Sequence, residues 1–188
     1  MWLAASTHPG EEEAAARLHA RLAPRFPGLL SLIVPRHPER GAELGARLGA
    51  PCRSTGAPPP DGAGLYIADT LGELGLFYRL APIVFMGGSL VPHGGQNPLE
   101  AARLGAALLT GPHHQNFTEA VAALSEVGAL EVVADERALE EALARLLAAP
   151  EAARARGARG MALFAADDLP ERYAVHLAAA ALARKDAG

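Results

Sequence analysis

The chain has 188 residues, half of them hydrophobic and 20% charged, a length that fits one domain with a full core and a composition far from the low-hydrophobicity, high-charge signature of disorder. Seventeen basic against 21 acidic residues leave a formal charge of −4, with no block of like charges, so the electrostatic footprint of a nucleic-acid partner is missing. Cys52 stands alone, which excludes an internal disulfide or a cysteine-cluster zinc site and points to a reducing compartment, while the lack of any apolar stretch near the roughly 18 residues that span a bilayer predicts a soluble chain.

The first apolar run, 2–5, opens the chain directly as a strand with no basic leader before it, as expected of a piece cut from something longer. Helical periodicity follows over 11–22, where Glu11-Glu12-Glu13 suit the positive end of the helix dipole and Ser6 or Thr7 could cap. A second strand is predicted over 29–34 and a helix over 39–48. Residues 51–64, including Pro58-Pro59-Pro60-Asp61-Gly62, lack apolar periodicity and read as a surface loop. Strands at 65–68, 83–86, 107–109 and 130–133 then alternate with helices at 74–80, 98–104, 118–126 and 136–148. Beyond Pro150 the chain is Ala- and Arg-rich and helical, broken at Asp167-Asp168-Leu169-Pro170, where an aspartate could cap and a proline could start another helix. This order predicts a single α/β domain over 1–188, a doubly wound Rossmann-like parallel sheet of about six strands with helices on both faces.

Ligands of such sheets bind beyond the carboxyl ends of the strands, and there the polar and glycine-rich clusters gather: Ser6-Thr7-His8-Pro9-Gly10, Pro35-Arg36-His37-Pro38, Asp69-Thr70-Leu71-Gly72, Gly87-Gly88-Ser89, Gly94-Gly95-Gln96-Asn97-Pro98 and Gly111-Pro112-His113-His114. The glycine pairs at 87–88 and 94–95 either form bare tight turns or let an anion approach backbone amides at a helix start. Neither the dinucleotide nor the P-loop fingerprint occurs in these loops. Asn97 and Glu100 have the spacing of a capping box, and Glu100 could instead accept hydrogen bonds from two ribose hydroxyls. Arg36 is either a solvated strand-end cation or a fork for a phosphate or base edge. The Ser6 and Thr7 hydroxyls could reach a phosphate or sugar, whereas His8 and His37 read as exposed loop histidines. Adjacent His113 and His114 cannot easily point the same way, and no metal or cofactor is expected.

Taken in order, Ala5-Ser6-Thr7-His8 with Glu11-Glu12, Val34-Pro35-Arg36-His37-Pro38-Glu39-Arg40, Gly87-Gly88-Ser89-Leu90, Gly94-Gly95-Gln96-Asn97-Pro98-Leu99-Glu100 and Gly111-Pro112-His113 resemble the Kdo (3-deoxy-D-manno-octulosonic acid) transferases. The resemblance spans about residues 4 to 117. It implies the C-terminal half of a GT-B glycosyltransferase, one that binds CMP-Kdo while an N-terminal domain, absent here, supplies a carboxylate base and receives a lipid A precursor. It places Pro35, Arg36 and His37 around the cytidine nucleotide, with Gly72 in a neighbouring loop. Gly87-Gly88-Ser89 and Gly95-Gln96-Asn97 fall at the phosphate and Glu100 at the ribose. Family members often carry histidine where Gln96 stands, so no titrating role transfers to that position. The resemblance also implies catalysis without a metal and location of the whole enzyme at the cytoplasmic face of the inner membrane. Two other readings fit the residues: another GT-B donor domain or UDP-sugar epimerase, and a noncatalytic module for a phosphorylated ligand.

Overall fold

Six apolar segments form one parallel sheet in the computed structural model, which describes residues 1–61 and 63–165. The strands are β1 (Trp2–Thr7), β2 (Leu30–Pro35), β3 (Gly64–Ile67), β4 (Ile83–Met86), β5 (Ala107–Thr110) and β6 (Leu130–Val132). The helices are α1 (Glu11–Leu22), α2 (Gly41–Leu48), α3 (Leu74–Leu80), α4 (Leu99–Arg103), α5 (Thr118–Glu126), α6 (Glu136–Ala148) and α7 (Pro150–Ala165). The helix break expected at Asp167-Asp168-Leu169-Pro170 lies outside the described residues.

The strand order β3-β2-β1-β4-β5-β6 is that of a doubly wound nucleotide-binding sheet, with its switch point between β1 and β4. Alternation of side chains along each strand divides the core in two. Trp2, Ala4, Ile33, Ile67, Phe85 and Leu109 pack under α1 and α6. Leu3, Leu32, Tyr66, Val84, Met86 and Leu108 pack under α3, α4 and α5. Helix α1 joins the first layer because Ala14, Ala15, Leu18 and Leu22 fall at helical spacing on one buried face. Helix α6 does the same with Leu139, Ala142, Leu143 and Leu146, and the Asp135 carboxylate caps it by accepting from the Ala138 amide at 2.8 Å.

Three local expectations change. β1 runs two residues farther than its apolar run, because Thr7 still pairs with Pro35 across a register shift at Ser6, whose φ is 54°. Residues 38–40 form a 3-10 turn ahead of α2 rather than its first turn. The 51–64 segment is not simply a surface loop: Cys52 bridges to Ile67 beside β3, and its buried thiol donates to the Gly41 carbonyl at 3.3 Å.

The start of α1 departs most from the sequence reading. Its N-cap is Gly10, not Ser6 or Thr7, and only Glu13 serves the exposed first turn, by accepting from the Gly10 amide. Glu11 and Glu12 are buried. The Glu11 carboxylate accepts from four backbone amides: His8 at 2.9 Å, Gly88 at 2.7 Å, and Ser89 and Leu90 at 3.0 Å each. One side chain therefore ties the loops after β1 and β4 together across the switch point. Glu12 accepts from Arg40 at 2.7 Å and from the Thr7 hydroxyl at 3.2 Å.

A second polar link crosses the α1 layer. The Trp2 indole donates to Ser31 Oγ at 2.6 Å, and the Ser31 hydroxyl is in turn hydrogen-bonded to His19 Nδ1 at 2.9 Å. Burial holds His19 below the ordinary histidine value.

Two outcomes follow for stability. Glu11→Ala leaves four amides without their acceptor and should destabilise the fold by about 3–5 kcal/mol in urea unfolding, with Glu11→Gln intermediate because its amino group faces donors. For His19 the folded pKa is depressed, so its contribution is complete above about pH 6.5 and is lost as pH falls from there through the folded value. The melting temperature should drop over that window, and His19→Gln, which keeps an acceptor, should flatten the drop.

Candidate functional site

The carboxyl edge of the sheet gathers the strand-end loops around the β1/β4 switch point, and hydrogen bonding sorts their residues into those already committed and those free to meet a ligand. Thr7 is fully buried, its hydroxyl turned to Glu12 and the Val34 carbonyl, so the expected reach toward a phosphate or sugar is not available to it. Ser89 is likewise buried, donating to the Met86 carbonyl and accepting from the Gly111 amide at 2.7 Å. Several of the glycine-turn amides expected to meet an anion are already bonded within the protein. Gly87 donates to the Ala5 carbonyl, Gly95 to the Gly88 carbonyl, and the 88–90 amides to Glu11. Backbone approach is the reason for glycine at 87, where a β-carbon would stand 2.6 Å from the Ser6 carbonyl oxygen.

Asn97 and Glu100 do not build a capping box. Asn97 lies outside α4, with its side-chain oxygen accepting from the Leu99 amide at 3.0 Å, and Pro98 takes the N-cap position. Glu100 is thereby released: its exposed carboxylate extends toward the start of α3, where Oε1 stands 3.3 Å from the place a β-carbon on Gly75 would occupy. Tyr78 beneath it is buried, and burial first, then the Glu100 charge, pushes its phenol well above the ordinary range.

Arg36 follows β2, its amide held by the Thr7 carbonyl at 2.9 Å and its side chain exposed. The ion pairs of this segment fall on His37 and Arg40, which leaves the Arg36 guanidinium free among the described residues. Pro35 is buried in the sheet beneath it. Ser6 is half-buried, and its positive φ turns the backbone at the end of β1. Gly72 lies exposed in the turn after β3. That turn is fixed by Glu73, whose carboxylate is held at about 2 by the bidentate Arg53 pair, 2.6 Å on each arm, with Thr70 adding a further bond.

His8 lies at the centre. Its ring stacks on His93 with centroids 4.1 Å apart, meets His37 edge-on at 6.2 Å, and places Nε2 at 3.1 Å from the Gln96 side-chain amide. His93 escaped the sequence reading. The signal available was its position between the two glycine turns of one short loop, which folds the loop back over the end of β1. Among the described residues no group of three His, Cys, Asp or Glu side chains could hold a metal ion, and no helix is long and apolar enough to cross a membrane. On the α1 and α6 flank, a separate cleft of about 320 Å³ is lined by Gly10, Ala14, Arg17, Val91, His113 and Asp135.

The free groups thus comprise a permanent cation, a carboxylate and a cluster of imidazoles, set along one sheet edge: a set suited to an anionic ligand that also carries hydroxyl groups. No protein-family model matches the chain. The 3-deoxy-D-manno-octulosonic acid transferase of Haemophilus influenzae is 43% identical over 157 residues, covering 80% of this chain and 37% of that protein. The probable mitochondrial 3-deoxy-D-manno-octulosonic acid transferase of Arabidopsis thaliana is 37% identical over 160 residues, covering 80% and 36%. The chain therefore spans little more than a third of the length of these curated relatives. Among solved structures, the C-terminal CMP-Kdo binding domain of WaaA from Acinetobacter baumannii matches with a TM-score of 0.77 and 33% identity, over 84% of this chain and 85% of that one. The spinosyn rhamnosyltransferase SpnG shares the fold alone, with a TM-score of 0.53 and 20% identity over 86% of this chain and 39% of that one. The chain belongs to the Kdo transferase family, and its fold matches the C-terminal, GT-B-type domain of such an enzyme.

Proposed function

We propose that this chain is the donor-binding domain of an inverting glycosyltransferase that transfers Kdo from CMP-Kdo to a lipid A precursor in lipopolysaccharide synthesis. The observation that carries this reading is the match over most of both chains to a domain that binds CMP-Kdo. The site chemistry supports it. Arg36, unpaired among the described residues, is a planar fork at the end of β2, suited to a phosphate or to the polar edge of a pyrimidine. The free Glu100 carboxylate can accept from two ribose hydroxyls. Pro35, His37 and Gly72 bound the nucleotide from the β2 and β3 ends, and Ser6, Gly95, Gln96 and Asn97 bound its phosphate and sugar from β1 and the loop before α4. Gly87, Gly88 and Ser89 contribute a close-packed floor, not donors.

Catalysis requires a second domain. An acceptor hydroxyl attacks the anomeric carbon, a carboxylate base on that domain takes its proton, and CMP leaves with the bonding electrons. The whole enzyme works at the cytoplasmic face of the bacterial inner membrane, where the lipid acceptor is held by the N-terminal part. The present chain, folded as one domain, binds the donor and transfers nothing by itself.

Calorimetric titration with CMP, UDP and GDP tests the reading. CMP should bind, and Arg36→Ala and Glu100→Gln should each weaken it by roughly 10- to 100-fold, the worth of one charge-assisted hydrogen bond or more. A clear preference for UDP would move the chain to another GT-B or epimerase family of ligands. Kdo transfer by this chain alone would sink the division of labour.

A further inference from the structure

Three imidazoles meet where β1, β2 and the loop after β4 end. His93 lies flat on His8, His37 stands at the edge of the pair, and Gln96 reaches His8 Nε2 from the far end of the same loop. The charged groups facing them come from each neighbouring element. Arg36 lies on the β2 end, Glu39 sits 3.4 Å from His37 Nδ1, and Glu11 of α1 beneath His8 is saturated by its four amides. Two imidazolium rings stacked at this distance would repel each other. Burial pushes His8 below the ordinary histidine value, His93 pushes it further, Glu11 opposes the shift, and His37 and Arg36 add to it. Without a ligand these surroundings favour the neutral form of His8, whose Nε2 accepts from the Gln96 amide.

An anion against this stack reverses the balance, because it stabilises the protonated ring while the His8 and 88–90 amides are held by Glu11. Gln96 suits both states: a half-turn of its amide offers an oxygen in place of the donor it presents to neutral His8.

We propose that the His8–His93 stack, flanked by His37 and Gln96, is the receptor for the anionic groups of the donor and takes up one proton from solvent as they bind. The inference rests on the donor-binding reading above and adds the residues that meet the charge. The same edge then changes its charge with occupancy, becoming cationic when an anion is present and neutral when it leaves.

The test is titration of the chain with CMP and with cytidine between pH 7 and 8.5, where the CMP phosphate is already a dianion. Each titration is done in two buffers of different ionisation enthalpy to count protons. CMP affinity should fall several-fold per pH unit, toward the tenfold limit for one coupled proton, with uptake of up to about one proton per CMP. Cytidine, lacking the phosphate, should show neither. The double variant His8→Gln/His93→Gln should lose the slope and bind CMP about tenfold more weakly at pH 7. His93→Gln alone alters only an exposed side chain and should reduce the uptake, because one of the two stacked rings that receive the anion is removed. CMP binding that is independent of pH and buffer overturns the inference, as does undiminished uptake in the double variant, while the donor reading survives either result. Absence of CMP binding at every pH overturns both.

Discussion

A buried carboxylate under four amides organises this domain. Glu11 belongs to α1, yet three of its hydrogen bonds go to the loop after β4 and the fourth to the loop after β1. In many doubly wound folds the turn at the switch point keeps its amides for a phosphate. Here the protein supplies its own anion. The loop after β4 is consequently tied to α1 through its own backbone amides.

The remaining charges divide by depth. Across the outer face of α1 and α6, Arg17 and Arg21 pair with Glu136 and Glu140. These groups are largely hydrated, and such pairs contribute little to stability. Glu12 is different, because burial raises its pKa and Arg40 acts against that rise. One of its carboxylate oxygens has no hydrogen-bond partner among the described residues. Losing the Arg40 partner would strand a buried charge, which makes the β1–α1–α2 corner intolerant of change close to the candidate site.

The sheet was legible because each strand is short, apolar and bounded by turn residues, so 83–86 and the α1, α3, α5 and α6 spans could be read to the residue. What escaped were matters of partner choice. Three consecutive glutamates at a helix start look alike to a dipole argument, and only the approach of 88–90, far along the chain, separates Glu11 from Glu13. The spacing of Asn97 and Glu100 fits a capping box, but Pro98 starts the turn one residue later and swings the carboxylate outward. Arg36 and Glu100 could be picked out from position at strand ends. For His93 the only trace was its place between two glycine turns, because a ring stack depends on how a loop folds over its neighbour and leaves no periodic signal.

The one tryptophan of the sequence lies at the opposite edge from all of this. Trp2 begins β1 and donates to Ser31 beneath His19, whereas His8 follows the last residue of the same strand, roughly 20 Å along at the usual rise per residue. Intrinsic fluorescence of this domain is therefore a gauge of how α1 seats on the sheet, and an imidazole beside the indole's serine makes that gauge respond to acid. Its emission will track the integrity of the hydrophobic layer and stay blind to occupancy at the far rim, so the two processes can be followed independently in a single sample.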